Sequence, residues 1–277
     1  MNDWHYRRSY RGPLRAAILD WAGTVIDFGC LAPVATFMRA FEEVGVPISV
    51  AEARAPMGKA KWDHIRAIAD VTRVAEAWAA VHGRSPTDAD VDRLYERFLP
   101  LQVASVGEHA ALIPGAIEAV GLMRARGMRI GSTSGYPRVV MAEVVRLAAE
   151  QGYAADSVVA SEDTAVGRPS PLPALKALLD LAVWPVEAVV KIGDTVVDVE
   201  EGLNGGMWSV GVVTSGNGVG LTLAEWQGLP SEEQATRRER AAGVLVAAGA
   251  HYVIDTIADI EAVLDDIEGR LGRGEKP

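Results

Sequence analysis

Four short polar segments of the chain carry residue types that suit the chemistry of phosphate groups. They comprise residues 20–24, 132–135, 167–169 and 193–198. Aspartate carboxylates from different segments are the hard oxygen ligands that a dication such as Mg²⁺ prefers. A hydroxyl, backbone amides and an arginine suit phosphate oxygens. Together these groups indicate phosphoryl transfer, in which positioning and charge neutralisation supply most of the catalysis.

Each polar segment follows or flanks a predicted element of regular structure. Short, mostly apolar runs are typical of strands buried in a parallel sheet. The predicted strands comprise residues 16–19, 128–132, 157–160, 189–192, 208–213 and 252–254. The predicted helices between and after them comprise residues 115–126, 138–151, 171–182, 198–204, 232–247 and 257–270. This alternation predicts an α/β fold with a doubly wound parallel sheet, whose carboxyl edge gathers the polar segments.

A stretch without a convincing strand, residues 30–107, interrupts the alternation directly after the first strand. Apolar residues at helical spacing follow Pro33, Ser49 and Glu52 have capping-box spacing, and Thr87 suits the start of a longer helix. An all-helical insertion here predicts a cap over the carboxyl ends of the strands, where such sheets bind ligands. The predicted domains are a tail at residues 1–13, a core at 14–29 and 108–277, and an all-α cap at 30–107.

Composition favours an ordinary globular protein, because 49% of the 277 residues are hydrophobic and 23% are charged. The net charge of −10 argues against nucleic acid as a partner. No apolar run approaches the roughly 20 residues that span a bilayer, so no membrane association is expected. The N-terminus lacks the apolar stretch of a secretory signal. Cys30 is the only cysteine, which excludes an intrachain disulfide and predicts a cytoplasmic location.

The four polar segments resemble the four motifs of the haloacid dehalogenase (HAD) superfamily, in the same order and on the same kinds of element. The resemblance implies a Rossmann-like core, Mg²⁺ as cofactor, and Asp20 as a nucleophile that forms an aspartyl-phosphate. It implies that Thr133, with the amide of Ser134, holds the phosphoryl group. Arg168 would take the place of the usual lysine beside the nucleophile.

Position 22 departs from the general pattern of that superfamily. Most HAD phosphatases carry a second aspartate two residues after the nucleophile, which protonates the leaving alkoxide and later activates water. Ala22 offers no acid, so either that step is lost or the leaving group needs no acid. By the resemblance, the Ala22 carbonyl would still bind the metal with the carboxylates of Asp20 and Asp194. Asp198 would lie in or just behind the metal shell, or would only stabilise a helix N-terminus.

The cap segment 55–64, Ala-Pro-Met-Gly-Lys-Ala-Lys-Trp-Asp-His, resembles the signature of the phosphonoacetaldehyde hydrolase (phosphonatase) family. The resemblance extends from about Leu14 to about Leu264. It implies hydrolysis of phosphonoacetaldehyde to acetaldehyde and phosphate, in the degradation of 2-aminoethylphosphonate. A neutral Lys61 amine would form an imine with the aldehyde, so that carbon leaves phosphorus as an enamine. No acid would then be needed at position 22.

Lys61 must lose a proton to attack, so burial and nearby cations have to lower its pKa from about 10.4. Lys59 is a rival, but residues two apart do not share a helical face. His64 shares the face of Lys61 and is either a proton relay or a structural histidine. The residues that the resemblance assigns to substrate binding are Ala22, Cys30, Met57, Ser134, Gly135 and Tyr136.

Two other functions remain open at this stage. A HAD phosphomonoesterase or phosphomutase acting on a small metabolite would need an acid to replace the missing aspartate. A non-catalytic binding protein would tolerate loss of catalytic residues, yet Asp20, Thr133, Arg168 and Asp194 all remain. The family resemblance also implies a homodimer, formed through cap helices.

Overall fold

The protein, described as a computed structural model over residues 9–277, contains a six-stranded parallel sheet. Its strands are β1 (Ala16–Leu19), β2 (Arg129–Thr133), β3 (Ser157–Val159), β4 (Val189–Gly193), β5 (Trp208–Val212) and β6 (Tyr252–Ile254). They lie in the order β3-β2-β1-β4-β5-β6, and every neighbouring pair is parallel. The predicted α/β doubly wound sheet is confirmed. Residues 1–8 of the predicted tail lie outside the described residues.

The register of the central strand explains why the polar segments meet. Leu19, the last residue of β1, pairs with Ser132 of β2 on one side and with Ile192 of β4 on the other. The residues that follow these three therefore leave the sheet at the same carboxyl edge. β1 is fully buried along its length, which accounts for its uninterrupted apolar sequence.

The helices confirm most of the predicted positions. They are α1 (Ala32–Glu42), α2 (Val50–Arg54), α3 (Lys61–Ala69), α4 (Thr72–His82), α5 (Asp88–His109), α6 (Ala116–Ala125), α7 (Arg138–Glu150), α8 (Leu172–Leu181), α9 (Val196–Asn204), α10 (Leu223–Gly228), α11 (Ser231–Ala247) and α12 (Ile260–Gly272). The capping box of Ser49 and Glu52 is present. Sequence reasoning missed α10, which has only six residues, and α4, which begins without a side-chain cap.

Five helices, α1 to α5, follow β1, and the described part of residues 30–107 contains no strand. Within this group α1 and α3 pack on α5, and α5 also packs on the core helix α7. The domain boundary predicted after residue 107 falls inside α5, which continues to His109. Among residues 9–277, no helix combines the length and the apolar character needed to cross a membrane.

Asp27 lies in the loop that connects β1 to the first helix of the helical region. Its carboxylate accepts hydrogen bonds from the backbone N–H groups of Leu31 and Ala32, both at 3.0 Å, and so satisfies two donors at the start of α1. Pro33 lies in the first turn of α1, where its missing N–H is harmless. The turn before α1 thereby fixes the direction in which the helical region leaves the end of β1.

Candidate active site

One buried pocket at the carboxyl edge of the sheet collects most of the side chains predicted to act. Its lining consists of Asp20, Ala22, Cys30, Pro33, Met57, Gly58, Lys61, Ser134, Gly135, Tyr136, Arg168, Asp194 and Thr195. The free volume is about 20 Å³, enough for about one or two water molecules. Asp20 and Lys61 are 6% and 4% exposed. The helical region is therefore closed over the sheet, and the pocket has to widen before a metabolite can enter.

Asp20 and Arg168 form the centre of the pocket. Arg168 Nη1 donates to Asp20 Oδ1 at 2.7 Å, and no hydrogen bond among the described residues uses Oδ2. Burial, together with repulsion from Asp198, raises the pKa of Asp20, although Arg168 opposes this rise. A carboxylate held by one oxygen keeps the other available as a nucleophile.

Arg168 also ties the core to the loop between α2 and α3. Its Nε and Nη2 donate to the carbonyl oxygen of Gly58 at 3.1 and 2.8 Å. A Cβ atom on Gly135 would lie 2.4 Å from the carbonyl oxygen of Lys59, so glycine is needed at this contact. The same guanidinium thus contacts Asp20 and the loop that covers it.

Three buried carboxylates could hold a divalent cation. Ligand oxygens of Asp20, Asp194 and Asp198 lie within 4.8 Å of one another. Asp194 Oδ1 is buried without a hydrogen-bond partner among the described residues, and its Oδ2 accepts only the N–H of Asn217 at 2.7 Å. Burial and repulsion from Asp20 and Asp198 raise the pKa of Asp194 well above its ordinary value. This desolvated, mutually repelling oxygen cluster fits a hard cation.

The carboxylate of Asp198 is already occupied by protein donors. Its Oδ1 accepts from Arg168 Nη1 at 2.6 Å and lies 3.0 Å from Lys191 Nζ. Its Oδ2 accepts from the hydroxyl of Thr195 at 2.5 Å, in the capping box that begins α9. Although burial acts to raise the pKa of Asp198, Arg168 and Lys191 hold it below its ordinary value. These contacts favour a place behind a metal shell.

The prediction that the Thr133 hydroxyl faces the phosphoryl group is wrong. Thr133 is fully buried and does not line the pocket; its Oγ1 accepts from Lys191 Nζ at 2.9 Å and donates to Glu201 Oε2 at 2.9 Å. Ser134 lines the pocket instead, and its Oγ accepts the N–H of Tyr136 at 3.0 Å. Successive residues of an extended chain point to opposite faces, so one position decides which hydroxyl reaches the site.

Replacing Thr133 by valine is expected to lower the free energy of unfolding by about 1–3 kcal/mol, because a buried charged pair loses its hydroxyl partner. Urea denaturation measures this loss. The matched control is Ser134→Ala, whose hydroxyl serves no buried charge and whose removal is expected to cost less stability. Equal losses of unfolding free energy in the two variants would contradict the conclusion that the Thr133 hydroxyl serves the buried ion pair.

A buried ion pair behind the pocket was not anticipated from the sequence. Lys191 and Glu201 are 1% and 0% exposed, and Lys191 Nζ lies 3.0 Å from Glu201 Oε2. One signal was available, since a lysine inside an apolar parallel strand requires a buried partner. Lys191 contacts the carboxylate of Asp198 and the hydroxyl of Thr133, and Glu201 accepts from that hydroxyl. The pair therefore holds Asp198 and Thr133 in place behind the pocket.

Lys61, the first residue of α3, lies in the pocket between two aromatic rings. Its Nζ is 4.8 Å from the ring centroid of Tyr136 and 5.4 Å from that of Phe37. Burial, assisted by the nearby Arg168, lowers the pKa of Lys61 to about 8, although Cys30 and Asp20 oppose the decrease. At pH 7 about a tenth of this amine is therefore uncharged and nucleophilic, far more than for a lysine of ordinary pKa.

His64 does not line the pocket. Its Nε2 is 2.8 Å from the carbonyl oxygen of Ala53, and its ring stacks on Phe37 at 3.9 Å between centroids. Burial lowers its pKa well below the ordinary value, and Lys61 lowers it further. The histidine is thus neutral, with Nε2 as the donor. This geometry supports a packing role, and proton relay by His64 stays a prediction.

Cys30, Met57 and Tyr136 all line the pocket, and their role in substrate binding stays a prediction. Burial raises the pKa of the Cys30 thiol well above its ordinary value, so the thiol stays protonated. Burial raises the pKa of Tyr136 in the same way, and its hydroxyl has no partner among residues 9–277. A protonated phenol without a partner can donate to a bound molecule.

Comparison with known proteins agrees with this fold and site. The family model for haloacid dehalogenase-like hydrolases matches residues 14–206. Together with the parallel sheet and its carboxylate cluster, that match defines the chain as a hydrolase of the HAD class. A putative β-phosphoglucomutase structure from Bacteroides vulgatus shares this fold at 17% identity, with a TM-score of 0.66 over 94% of this chain and 90% of that one.

Relatives with higher sequence identity show which family within the HAD class the chain belongs to. The chain is 49% identical over 271 residues to a phosphonoacetaldehyde hydrolase of Pseudomonas entomophila, covering 97% of this chain and 98% of the relative. It is 50% identical to one of Pseudomonas aeruginosa strain PAO1, with 95% and 96% covered. The structure of a phosphonoacetaldehyde hydrolase-like protein from Oleispira antarctica matches with a TM-score of 0.97, at 46% identity over 99% of both chains. The chain belongs to the phosphonoacetaldehyde hydrolase family of the HAD superfamily.

Proposed function

We propose that this protein hydrolyses the carbon–phosphorus bond of phosphonoacetaldehyde, releasing acetaldehyde and phosphate. The observation that carries the proposal is one buried pocket lined by an amine of depressed pKa, Lys61, and by a carboxylate nucleophile, Asp20, with no acid at Ala22. The names of the related hydrolases support the same substrate. Equimolar release of acetaldehyde and phosphate by the purified protein tests the proposal.

Lys61 carries out the first chemical step, the formation of an imine. Its uncharged amine adds to the aldehyde carbon and water leaves, which gives an imine that takes up a proton. The protonated imine is an electron sink next to the carbon that bears phosphorus. Tyr136, whose ring contacts the amine and whose hydroxyl is unpaired, is suited to donate to the departing oxygen.

The second step belongs to Asp20. Its Oδ2 attacks phosphorus, the carbon–phosphorus bond breaks, and the electron pair enters the imine to give a neutral enamine. Arg168 and Ser134 neutralise and orient the phosphoryl oxygens. The carboxylates of Asp20 and Asp194, with the carbonyl of Ala22, would hold Mg²⁺, which supplies neutralisation of phosphoryl charge when bound.

The remaining steps restore the enzyme. Protonation of the enamine carbon and hydrolysis of the resulting imine free acetaldehyde and Lys61. Water hydrolyses the aspartyl-phosphate, which frees phosphate and Asp20. Because the leaving group is an enamine, no alkoxide needs a proton, and this explains why alanine is tolerated at position 22.

A phosphomonoesterase or phosphomutase is the competing function. Its leaving alkoxide needs a general acid. Among the described lining residues only Asp20 and Asp194 carry carboxyl groups, and both are engaged as nucleophile or cation ligand. Sugar phosphate turnover that borohydride leaves unchanged would favour the competitor, whereas inactivation that requires both borohydride and phosphonoacetaldehyde favours an imine.

Replacing Ser134 by alanine is expected to lower kcat/KM by about 10²-fold, the usual cost of one hydroxyl donor to developing charge. Steady-state kinetics of phosphate release measures the effect. The same variant should keep nearly its full stability. Activity within threefold of the original protein would contradict the role of this hydroxyl.

The pKa of Lys61, about 8, also predicts a pH profile. The amine is protonated below its pKa, so kcat/KM should fall tenfold for each unit of decreasing pH there and level off above it. A bound dication shifts this limb toward lower pH, since nearby positive charge disfavours the ammonium form. Initial rates of acetaldehyde release between about pH 6 and 9 measure the limb. A rate that rises as pH falls would contradict it.

The proposal extends to the cellular setting. It includes degradation of 2-aminoethylphosphonate as the source of substrate, a homodimer as the assembly, and the cytoplasm as the location. Light scattering coupled to gel filtration tests the assembly. Growth on 2-aminoethylphosphonate as sole phosphorus source, with and without the gene, tests the pathway.

A further inference from the structure

Arg54, the last residue of the short helix α2, directs its guanidinium at two loops beside the sheet. Its Nη1 lies 3.0 Å from the carbonyl oxygen of Gly29 in the loop after β1. The same nitrogen lies 2.9 Å from Asn217 Oδ1 in the loop after β5, and Nη2 donates to the Gly220 carbonyl at 3.2 Å. Every acceptor recorded for this side chain therefore lies outside helices α1 to α5.

Asn217 connects this arginine to the carboxylate cluster. Its side-chain Nδ2 donates back to the carbonyl oxygen of Arg54 at 3.3 Å. Its backbone N–H donates to Asp194 Oδ2 at 2.7 Å. That bond holds Oδ2 of Asp194, whereas Oδ1 is buried without a hydrogen-bond partner in the described chain. Asn217 thus links Arg54 to Asp194, the carboxylate whose Oδ1 is available to a cation.

The loop after β5 is fitted closely between its two neighbours. A Cβ atom on Gly216 would lie 2.6 Å from Cβ of Asp194, and one on Gly220 would lie 2.8 Å from Cζ of Arg54. No side chain fits at Gly216 beside Asp194, and Gly220 lies directly against the guanidinium of Arg54. The hydrogen bonds of Arg54 couple its position to this loop, and the N–H of Asn217 couples the loop to Asp194.

The pocket cannot admit a metabolite without a relative movement of the helical region and the sheet, because its free volume is about 20 Å³. A cleft of about 870 Å³ lies between α2 and the core helices α9 and α11, and Arg54 and Asn217 are part of its wall. The hydrogen bonds of Arg54 to Gly29, Asn217 and Gly220 cross this boundary beside the cleft. Opening the pocket from this side would break them.

We infer that Arg54 is a positioning residue, which through Asn217 orients Asp194 for a divalent cation when the helical region is closed over the site. The inference rests on the proposed function only in taking Asp194 as a cation ligand and closure as part of the cycle. Arg54 touches no reacting atom. Its effect is exerted on the affinity for the cation and on the order of the loop after β5.

Calorimetric titration of Mg²⁺ into the protein, with inorganic phosphate present to fill the pocket, tests the inference. Arg54→Met and Asn217→Ala are each expected to weaken Mg²⁺ binding by about 10-fold or more, as is usual for residues that orient a metal ligand. Arg54→Lys keeps the charge but has a single donor nitrogen in place of the guanidinium fork, so an intermediate loss is expected. Hydrogen exchange at the Asn217 amide should become about 10-fold faster in Arg54→Met.

Arg73 offers a matched control. It donates to Glu52 and to the carbonyl of Pro47, all within the same helical region. Arg73→Met removes an arginine with comparable contacts but none to the sheet, and it should bind Mg²⁺ as the original protein does.

Mg²⁺ affinity that is unchanged in folded Arg54→Lys and Asn217→Ala would overturn the inference, and so would an equal loss in Arg73→Met. Phosphate is a product of the proposed reaction and of a phosphomonoesterase, and it carries the same oxygens as the group that a phosphomutase transfers. The titration therefore remains valid if another phosphate or phosphonate proves to be the substrate, a failure that the acetaldehyde assay would reveal separately.

Discussion

Replacing Lys61 by arginine is expected to lower kcat for acetaldehyde release by roughly 10⁴- to 10⁶-fold, the range found when a covalent catalytic residue is removed. Arginine keeps the positive charge and much of the length of lysine. It stays protonated at all accessible pH values and cannot form an imine. The loss would therefore report the missing nucleophilic amine and not a missing charge. A coupled assay that consumes acetaldehyde measures it.

Borohydride provides the second measurement on Lys61. In the original protein, borohydride added with substrate should reduce the imine and leave a stable two-carbon adduct on this residue. Peptide mass spectrometry locates the adduct. Lys59→Arg is the matched control, since Lys59 does not line the pocket, and it should keep the adduct and most of the activity. Full activity in Lys61→Arg would end the imine mechanism.

Replacing Asp20 by asparagine is expected to lower phosphate release by a similar factor, roughly 10⁴-fold or more, because the amide is not a nucleophile toward phosphorus. Imine formation should survive. Asp20 acts to raise the pKa of Lys61, so its neutralisation shifts the amine further toward the uncharged form. Asp20→Asn should therefore still yield the borohydride adduct on Lys61.

The two variants separate the two halves of the reaction. Lys61→Arg should lose both the adduct and the products, whereas Asp20→Asn should lose only the products. An Asp20→Asn protein that forms no adduct, although it is folded and binds Mg²⁺, would show that the aldehyde reaches Lys61 only after phosphorus has been engaged. Phosphate release at the original rate would exclude Asp20 as the nucleophile.

In the closed pocket, Arg168 links the carboxylate of Asp20 to the loop that precedes Lys61. Arg168 binds Asp20 and also the carbonyl of Gly58 in the covering loop. Lys61 follows that loop at the start of α3. Closure therefore brings the amine and the carboxylate into one water-poor space through a single guanidinium. In such a space the electrostatic interactions of the arginine are stronger than they would be in water.

The amino-acid sequence alone determined the order of strands and helices and the convergence of the polar segments. Short apolar runs that end in aspartate, serine or glycine define strand ends, and parallel strands present their carboxyl ends at one edge. Asp20, Arg168 and Asp194 were found in this way. Position 22 and the segment around Lys61 then pointed to the family through their resemblance to its signature.

Only the tertiary structure decided between Thr133 and Ser134. Both are hydroxyl residues at the end of β2, and no local pattern states which of them faces the pocket. The choice depends on Lys191 and Glu201, which lie 58 and 68 residues further along the chain and occupy the Thr133 hydroxyl.

The contacts of Arg54 with Asn217 and of Arg168 with Gly58 span 163 and 110 residues. Sequence periodicity reports which face of an element is buried, since that depends on neighbours a few residues away. It does not report which distant group a buried charge will meet. Such pairings are set when the helices close over the sheet, and the orientation of the catalytic carboxylates depends on them.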